Sequence, residues 1–375
     1  MTIHRGTFVP GVGAVCRYLV KPTAHGMEPG SYERPVTGMD VKTIPGASSI
    51  LADQARYLIA TAARAPSVHN TQPWRFKVRD SAIELQCDPR RKLRTDPSGR
   101  EMLISCGAAL FGLRLAIRSL GYQTVVELLP DPARLRLLAR VTAGAAEPMT
   151  VMERAMLTAV PHRHTHRGGF APVPLPGGLL AGLQHDALAE GATLELVDRG
   201  IAYQRLADVV SMAGRRLDLD PRARAEIRRW SRNAASGARD GVPAHAFSGT
   251  AGGRPGRQSG RLRQRDFDLG RSLGRLLTDG PDPSAPAVTA VLLTPGDGRA
   301  DWLRAGQALH RLLLHAASKW VFASLYTQPL EAAAIRALIR DRLGLPSAPQ
   351  MLLQLGVAHT AHATARRPPD ELIEP

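Results

Sequence analysis

The sequence predicts a folded chain of mixed helix and strand, with helix in excess and room for two packed domains. Three observations predict it. A length of 375 residues with 44% apolar content allows large cores. Ala, Leu, Gly and Arg dominate while aromatic residues make up only 5%, so the interior is expected to be built from aliphatic helix formers. Segments 107–119 and 306–318, both with helical spacing of apolar residues, match each other without a gap.

The composition also argues against several classes. Cys16, Cys87 and Cys106 are far apart and lack CxxC spacing, so neither a structural zinc nor a redox pair is indicated, and a reducing cytoplasm fits. The most apolar stretch, Gly107–Ile117, contains Arg114 and falls short of the roughly 20 residues of a membrane span. No transmembrane helix is expected, and the N-terminus shows no secretory pattern. Net charge is +16, from 49 basic against 33 acidic residues. Such a surface attracts phosphorylated ligands, acidic lipid or nucleic acid without specifying which, and compositional bias accounts for it equally well. No nucleic-acid reading motif or aromatic stacking platform accompanies the charge, so nucleic acid is not the expected partner.

Residues 1–45 have no sustained apolar period and read as a tail, with a start at Met39 as the alternative. Leu51, Ala55, Leu58, Ile59 and Ala62 then fall on one helical face that ends before Pro66. After the polar loop Ser67–Gln72, Trp74, Phe76 and Val78 alternate with Arg75 and Lys77. They turn through 79–81 and resume as Ile83, Leu85 and Cys87, a β-hairpin. Ser98 and Glu101 have capping-box spacing at the head of a long core helix that runs to Gly121. Strands are expected at Val125–Leu129 and Leu137–Val141. The second core helix matches the first at Gly107/Gly306, Ala109/Ala308, Leu110/Leu309, Leu113/Leu312, Leu115/Leu314 and Ser119/Ser318, although two Leu/Ala helices can also match by chance. Residues 231–265, rich in Gly, Ser and Arg, read as a mobile lid. A helix at Glu331–Leu343, a strand at 350–358 and a basic, Pro-containing arm at 359–375 close the chain. The halves divide as 46–150 and 151–375.

Two segments carry chemistry. In Ala65–Phe76, Ser67, Asn70 and Gln72 sit in a short loop between Pro66 and Pro73. Carboxamides donate and accept together, which suits the alternating pyrimidine edge of a flavin, and an ordinary Asx-type loop is the competing reading. In Pro161–Phe170, Arg163, Thr165 and Arg167 alternate, so an extended backbone points two guanidinium forks and a hydroxyl one way, as a phosphate grip. His162, His164 and His166 alternate on the other face as a rival metal set, but no acidic or cysteine partner lies nearby, and no metal is expected. A solvated basic loop is the third reading.

Five landmarks in order resemble the nitroreductase superfamily, specifically its Acg-like branch of fused members, over most of residues 46–372. They are the APSVHNTQPW loop (Ala65–Trp74), Asp96–Glu101, Ser105–Leu110, Arg163–Arg167 and the closing Arg366-Arg367. The resemblance implies an α+β, nitroreductase-like fold whose two similar halves form an intrachain pseudo-dimer around one FMN. Carried over residue by residue, Arg163, Thr165 and Arg167 hold the phosphate with Arg366 or Arg367. Ser67, Asn70 and Gln72 contact the flavin, and Thr327-Gln328-Pro329 lies beside flavin N5. Two positions depart from the family pattern. His164 replaces a second Arg, and Trp320 stands where a small residue such as Gly is usual, so that it either narrows the pocket or packs in the core.

The implied activity is an FMN-dependent, NAD(P)H-using oxidoreductase acting on a nitro-aromatic or quinone-like acceptor. In it the flavin carries the chemistry and no side chain is a catalytic acid. The alternative is a catalytically silent, flavin-sequestering protein closed by its lid. A monomeric pseudo-dimer is the expected assembly.

Overall fold

The computed structural model describes residues 47–374 apart from Asp80, Gly168, Ala234 and residues 359–363. Of 247–286 it describes only Leu262, Arg265, Phe267 and Leu269. The expected tail at 1–45 and most of the lid beyond residue 246 therefore lie outside the described residues.

The first half opens with α1 (Ala47–Asp53) and α2 (Ala55–Ala62), which interrupt the single expected helix at Gln54. The hairpin forms as predicted, as β1 (Trp74–Val78) and β2 (Ala82–Cys87). Helix α3 (Arg100–Ser119), β3 (Tyr122–Leu128) and β4 (Leu137–Ala146) follow. In the sheet the strands lie in the order β1-β2-β4-β3, with Trp74, Phe76, Ile83 and Leu85 buried under α3.

The second half begins with α4 (Val151–Ala159), headed by a capping box between Thr150 and Glu153 that sequence reasoning did not single out. Then come α5 (Leu179–Ala189), β5 (Thr193–Val197), α6 (Ile201–Leu219), α7 (Pro221–Trp230) and the short pair β6 (Ser231–Arg232) and β7 (Val242–Pro243). The second sheet resumes with β8 (Val288–Thr294), followed by α8 (Arg299–Ser318), β9 (Val321–Leu325), α9 (Ala333–Leu343) and β10 (Ala348–Val357). Its order, β5-β8-β10-β9, repeats that of the first sheet strand for strand. The repeat is a hairpin, a core helix and a second hairpin, and in the second copy α6, α7 and residues 231–287 are inserted between the two strands of the first hairpin.

Helices α3 and α8 pack against each other at the centre. A Cβ on Gly107 would lie 2.2 Å from the Leu303 carbonyl oxygen, and one on Gly306 would lie 2.0 Å from that of Ile104. The contact is reciprocal, because Ile104 and Leu303 each stand one turn before a matched glycine. The glycines let the two backbones touch, so the ungapped match seen in the sequence is also the symmetry of the packing. His310 of α8 adds a 2.6 Å hydrogen bond to the Ala108 carbonyl of α3, and burial pushes its imidazole down to about 3, keeping it neutral. Asp186 of α5 and Glu190, the residue after its last turn, clamp Arg311 and His315 of α8, and Glu190 also takes Arg114 of α3 at 2.6 Å. By length and composition α3 passes for a membrane span, but 89% of its apolar window is buried inside the fold, which makes it a core helix.

Finally β11 (Ile373–Glu374), at the end of the second half, pairs in parallel with β1 and adds a fifth strand to the first sheet.

Candidate functional site

The loop between α2 and β1 is strained. His69 (φ +48°), Asn70 (φ +56°) and Gln72 (φ +51°) all occupy the left-handed region, which costs non-glycine residues about 1–2 kcal/mol each, less for Asn. Local bonds hold it there. Ser67 Oγ accepts from the Gln72 N–H at 3.0 Å, and Ser105 Oγ of α3 accepts from the Val68 N–H at 3.1 Å. Asn70 Nδ2 donates to the carbonyls of Gly241 (3.0 Å) and Ala365 (3.1 Å). Gln72 Nε2 donates to that of Arg239 (2.7 Å), and Gln72 Oε1 accepts from the Arg367 N–H at 2.8 Å. The two carboxamides thus fasten the loop to segment 239–241 and to the C-terminal arm.

Behind this loop lies a cavity that encloses about 830 Å3 of empty space, open solvent at its mouth included. Pro66–His69 and Glu101, Ile104 and Ser105 of α3 form one side. Thr165–Arg167, Ser324 and Leu325 at the end of β9, and Thr327 and Gln328 form the other, and Arg265 and Phe267 also line it. Of the residues expected from sequence, Ser67, Thr165, Arg167, Thr327 and Gln328 line this cavity. Asn70 and Gln72 do not line it; they are buried beside it and spend their amide N–H groups on backbone, leaving Asn70 Oδ1 without a partner.

Arg163 and Arg366 converge next to the cavity. Arg163 Nη2 donates to the Arg64 carbonyl at 3.2 Å, and Arg366 Nη2 donates to the carbonyls of Arg64 (3.4 Å) and Ala65 (3.3 Å). Arg163 Nε and Nη1 and Arg366 Nε are buried without partners. Among the described residues, no carboxylate pairs with Arg163, Arg167 or Arg366. Burial, then repulsion from Arg167 and Arg64, lowers Arg163 to about 10. Burial alone lowers Arg167 to about 10, and burial followed by Arg163, Arg64 and Arg167 holds Arg366 well below its ordinary value. The closing pair separates. Arg367 turns away to Glu371, with Nε at 3.1 Å from the carboxylate, and lines a different cleft.

The expected alternation at 163–167 is only partly kept. Thr165 bridges to Ala323 of β9, and Thr165, His166 and Arg167 all reach the cavity, whereas Arg163 lies outside its lining. The three imidazoles do not gather into one set: His164 packs on Phe322, His166 on Phe170, and His162 beside Trp320. Trp320 neither narrows the cavity nor packs in the core. It is 48% exposed with φ +60°, and the ungapped helix match places it opposite Gly121, whose φ is +86°. Both positions need the left-handed turn that ends the core helix, which is why glycine suits them.

Two cavity residues escaped sequence reasoning. The expected capping box at Ser98–Glu101 does not form. Asp96 accepts the Met102 N–H at 3.1 Å instead, with Gly99 in a left-handed turn (φ +75°) between them. Glu101, released from capping, faces the cavity with both carboxylate oxygens unpartnered. Burial, then Glu331 and Asp96, raises its pKa well above the ordinary value, with Arg265 and Arg100 opposing. His69 also leaves both ring nitrogens unpartnered, edge-on to Phe267 at 5.2 Å, and burial followed by Arg265 and Arg167 keeps it neutral. The cavity therefore presents uncharged donor–acceptor groups in its floor and an uncompensated positive cluster at its edge, suited to a polar ring with an anionic tail.

No protein-family model matches the chain. Among individual proteins, it is 35% identical over 309 residues to the Mycobacterium tuberculosis protein named "Putative NAD(P)H nitroreductase Rv3131", covering 82% of this chain and 86% of that one. It is 30% identical over 330 residues to that organism's "Putative NAD(P)H nitroreductase acg", covering 86% and 96%. Solved structures that it resembles include a nitroreductase with bound FMN from Desulfitobacterium hafniense (TM-score 0.35, 13% identity, 58% of this chain and 96% of that one). A nitroreductase-like family protein from Bacillus cereus is another (TM-score 0.33, 14%, 61% and 98%). The chain belongs to the nitroreductase family, and within it to the Acg-like branch.

Proposed function

We propose that this chain is an FMN-dependent oxidoreductase of nitroreductase type that takes electrons from NAD(P)H and passes them to a nitro-aromatic or quinone-like acceptor. One observation carries the reading. Arg163, Arg167 and Arg366 bring three guanidinium groups, without a carboxylate among the described residues, to the edge of a cavity whose floor holds neutral His69 and Glu101. Buried positive charge is costly until a counter-ion meets it, and a phosphate monoester does so through charge-assisted hydrogen bonds to Arg163 Nε and Nη1 and Arg366 Nε.

The remaining residues fit an FMN as well. Ser67, Thr165, Thr327 and Gln328 offer hydroxyl and amide groups to a ring system, while His69 and protonated Glu101 each supply a donor and an acceptor without adding charge. Asn70, Gln72 and Arg367 serve the same site one step removed, by fixing the loop, segment 239–241 and the arm. When bound, the flavin supplies the two-electron chemistry, as hydride acceptor from the reduced nicotinamide and hydride donor to the acceptor. The protein binds its tail, orients its ring and screens it from water. Both halves are supplied by one chain, which acts as a monomer of pseudo-dimeric form.

The test is spectroscopic. Protein reconstituted with FMN and dialysed is expected to keep a flavin spectrum, and anaerobic NADPH or NADH to bleach it. Failure to retain FMN sinks the cofactor assignment. Retention with an unbleached spectrum under both reductants selects the flavin-sequestering alternative.

A further inference from the structure

A second cleft, which shares no lining residue with the cavity, lies between the edge of the first sheet and the end of α7. Among the described residues, six guanidinium groups line it against two carboxylates. Each carboxylate is already shared. Asp88 lies 3.4 Å from Arg75 and 2.9 Å from Arg90, and Asp240 lies 3.0 Å from Arg91 and 2.7 Å from Arg232. Arg229 and Arg367 therefore have no share in either cleft carboxylate. Arg229 stands 5.3 Å over the Trp230 ring and, among the described residues, reaches the Arg90 carbonyl at 3.5 Å and no carboxylate. Arg367 is 7% exposed, spends Nε and Nη2 on Glu371, and keeps Nη1 buried without a partner.

We propose that this cleft binds a phosphoryl dianion, either free phosphate or the phosphate of a nucleotide, between Arg367 Nη1, Arg229 and the Arg91–Arg232 pair. A carboxylate brings one charge in a plane, whereas a phosphoryl group brings two charges and oxygens in three directions, which matches forks arriving from the arm, the sheet edge and α7. The cleft is also linked to the strained loop beside the cavity. The carbonyls of Arg239 and Gly241 hold Gln72 and Asn70, while Asp240 between them points its carboxylate at Arg91 and Arg232. A bound dianion competes with Asp240 for those two guanidinium groups.

The experiment is calorimetric titration of the full chain with inorganic phosphate, ADP and adenosine at constant chloride. Binding of phosphate or ADP, but not adenosine, is expected, weakened at least about tenfold by Arg367→Met and several-fold by Arg229→Met. Far-UV circular dichroism of both variants checks that they fold, and Arg229→Met keeps the test valid should the arm loosen in Arg367→Met. ADP binding tenfold tighter than phosphate assigns a nucleotide, and equal affinity assigns free phosphate. Titration of Arg163→Met separates this cleft from the cavity cluster: phosphate affinity is expected to survive that substitution. The proposal is overturned if neither probe binds, if both cleft variants bind like wild type, or if binding disappears with Arg163→Met.

Discussion

Glu101 lies one residue into α3, where a carboxylate ordinarily meets free backbone N–H groups, yet Asp96 takes that place and Glu101 turns into the cavity. Its folded pKa is raised above the ordinary 4.5, so its stabilising contribution is complete below pH 4.5 and is lost as pH rises through the folded value. In that window the unfolded chain releases a proton that the folded chain retains. Glu101→Gln removes the linkage, so its melting temperature in the FMN-free protein is expected to gain on wild type between pH 4.5 and pH 8. A gap that stays constant across that range refutes the assignment. At the cavity edge, Arg163→Ala is expected to weaken FMN binding about 10- to 100-fold, the equivalent of losing a hydrogen-bonded charge at about 1.5–3 kcal/mol. Quenching of FMN fluorescence measures it, and unchanged affinity removes Arg163 from the site. Residue type and spacing pointed to Ser67, Thr165 and Arg167, and the family resemblance to Thr327 and Gln328, all of which line the cavity. Glu101 and His69 were illegible because an acid and an imidazole become site residues only once burial strips their partners, and burial is not a local property of sequence.

The crossing of α3 and α8 makes a sharp demand at the scale of elements. Gly107→Ala and Gly306→Ala each place a methyl against backbone of the other helix, at 2.2 Å and 2.0 Å before relaxation, and backbone cannot rotate away as a side chain can. Each is expected to cost about 3 kcal/mol, a fall in melting temperature of at least about 6 °C. Gly177→Ala, with open space around its Cβ position, is expected to leave it unchanged. The double variant is expected to cost clearly less than the sum of the singles, because the first methyl already parts the helices at the point where the second would strike. Additive losses would show that the two contacts are independent and that the symmetry of the crossing has no energetic content. The glycines were readable because a close crossing requires small residues and the two copies keep the same register. The first hairpin was readable because its strands adjoin and alternate. Its counterpart, β5 and β8, was not, because α6, α7 and residues 231–287 separate the strands and the turn signature is gone. The same insertion hid the repeat beyond its core helix. Helices α4 to α7 went unread, although Thr150 and Glu153 carried the cap that sequence reasoning assigned to Ser98 and Glu101.

Across the whole molecule, the end of the second half completes the first. Ile373 and Glu374 pair with Phe76 and Lys77, Leu372 is fully buried in the first core, and Asp370 forms an ion pair with Arg56. The same arm delivers Arg366 to Arg163 and presents the Arg367 N–H to Gln72, so sheet, strained loop and guanidinium cluster are closed by one stretch of chain. Single substitutions separate these duties. Leu372→Ala is expected to cost about 2–5 kcal/mol of stability, as large-to-small core changes do, while weakening FMN less than about tenfold, because Arg366 stays tethered to the carbonyls of Arg64 and Ala65. Arg366→Ala is expected to do the reverse: it removes a half-buried cation whose Nε is buried without a partner, so the melting temperature holds or rises while FMN affinity falls at least about tenfold. A chain ending at Thr364 is expected to show both losses together. If Leu372→Ala and Arg366→Ala instead gave the same ratio of stability loss to affinity loss, the arm would be acting as one cooperative latch, and Arg366 would have no duty of its own at the site.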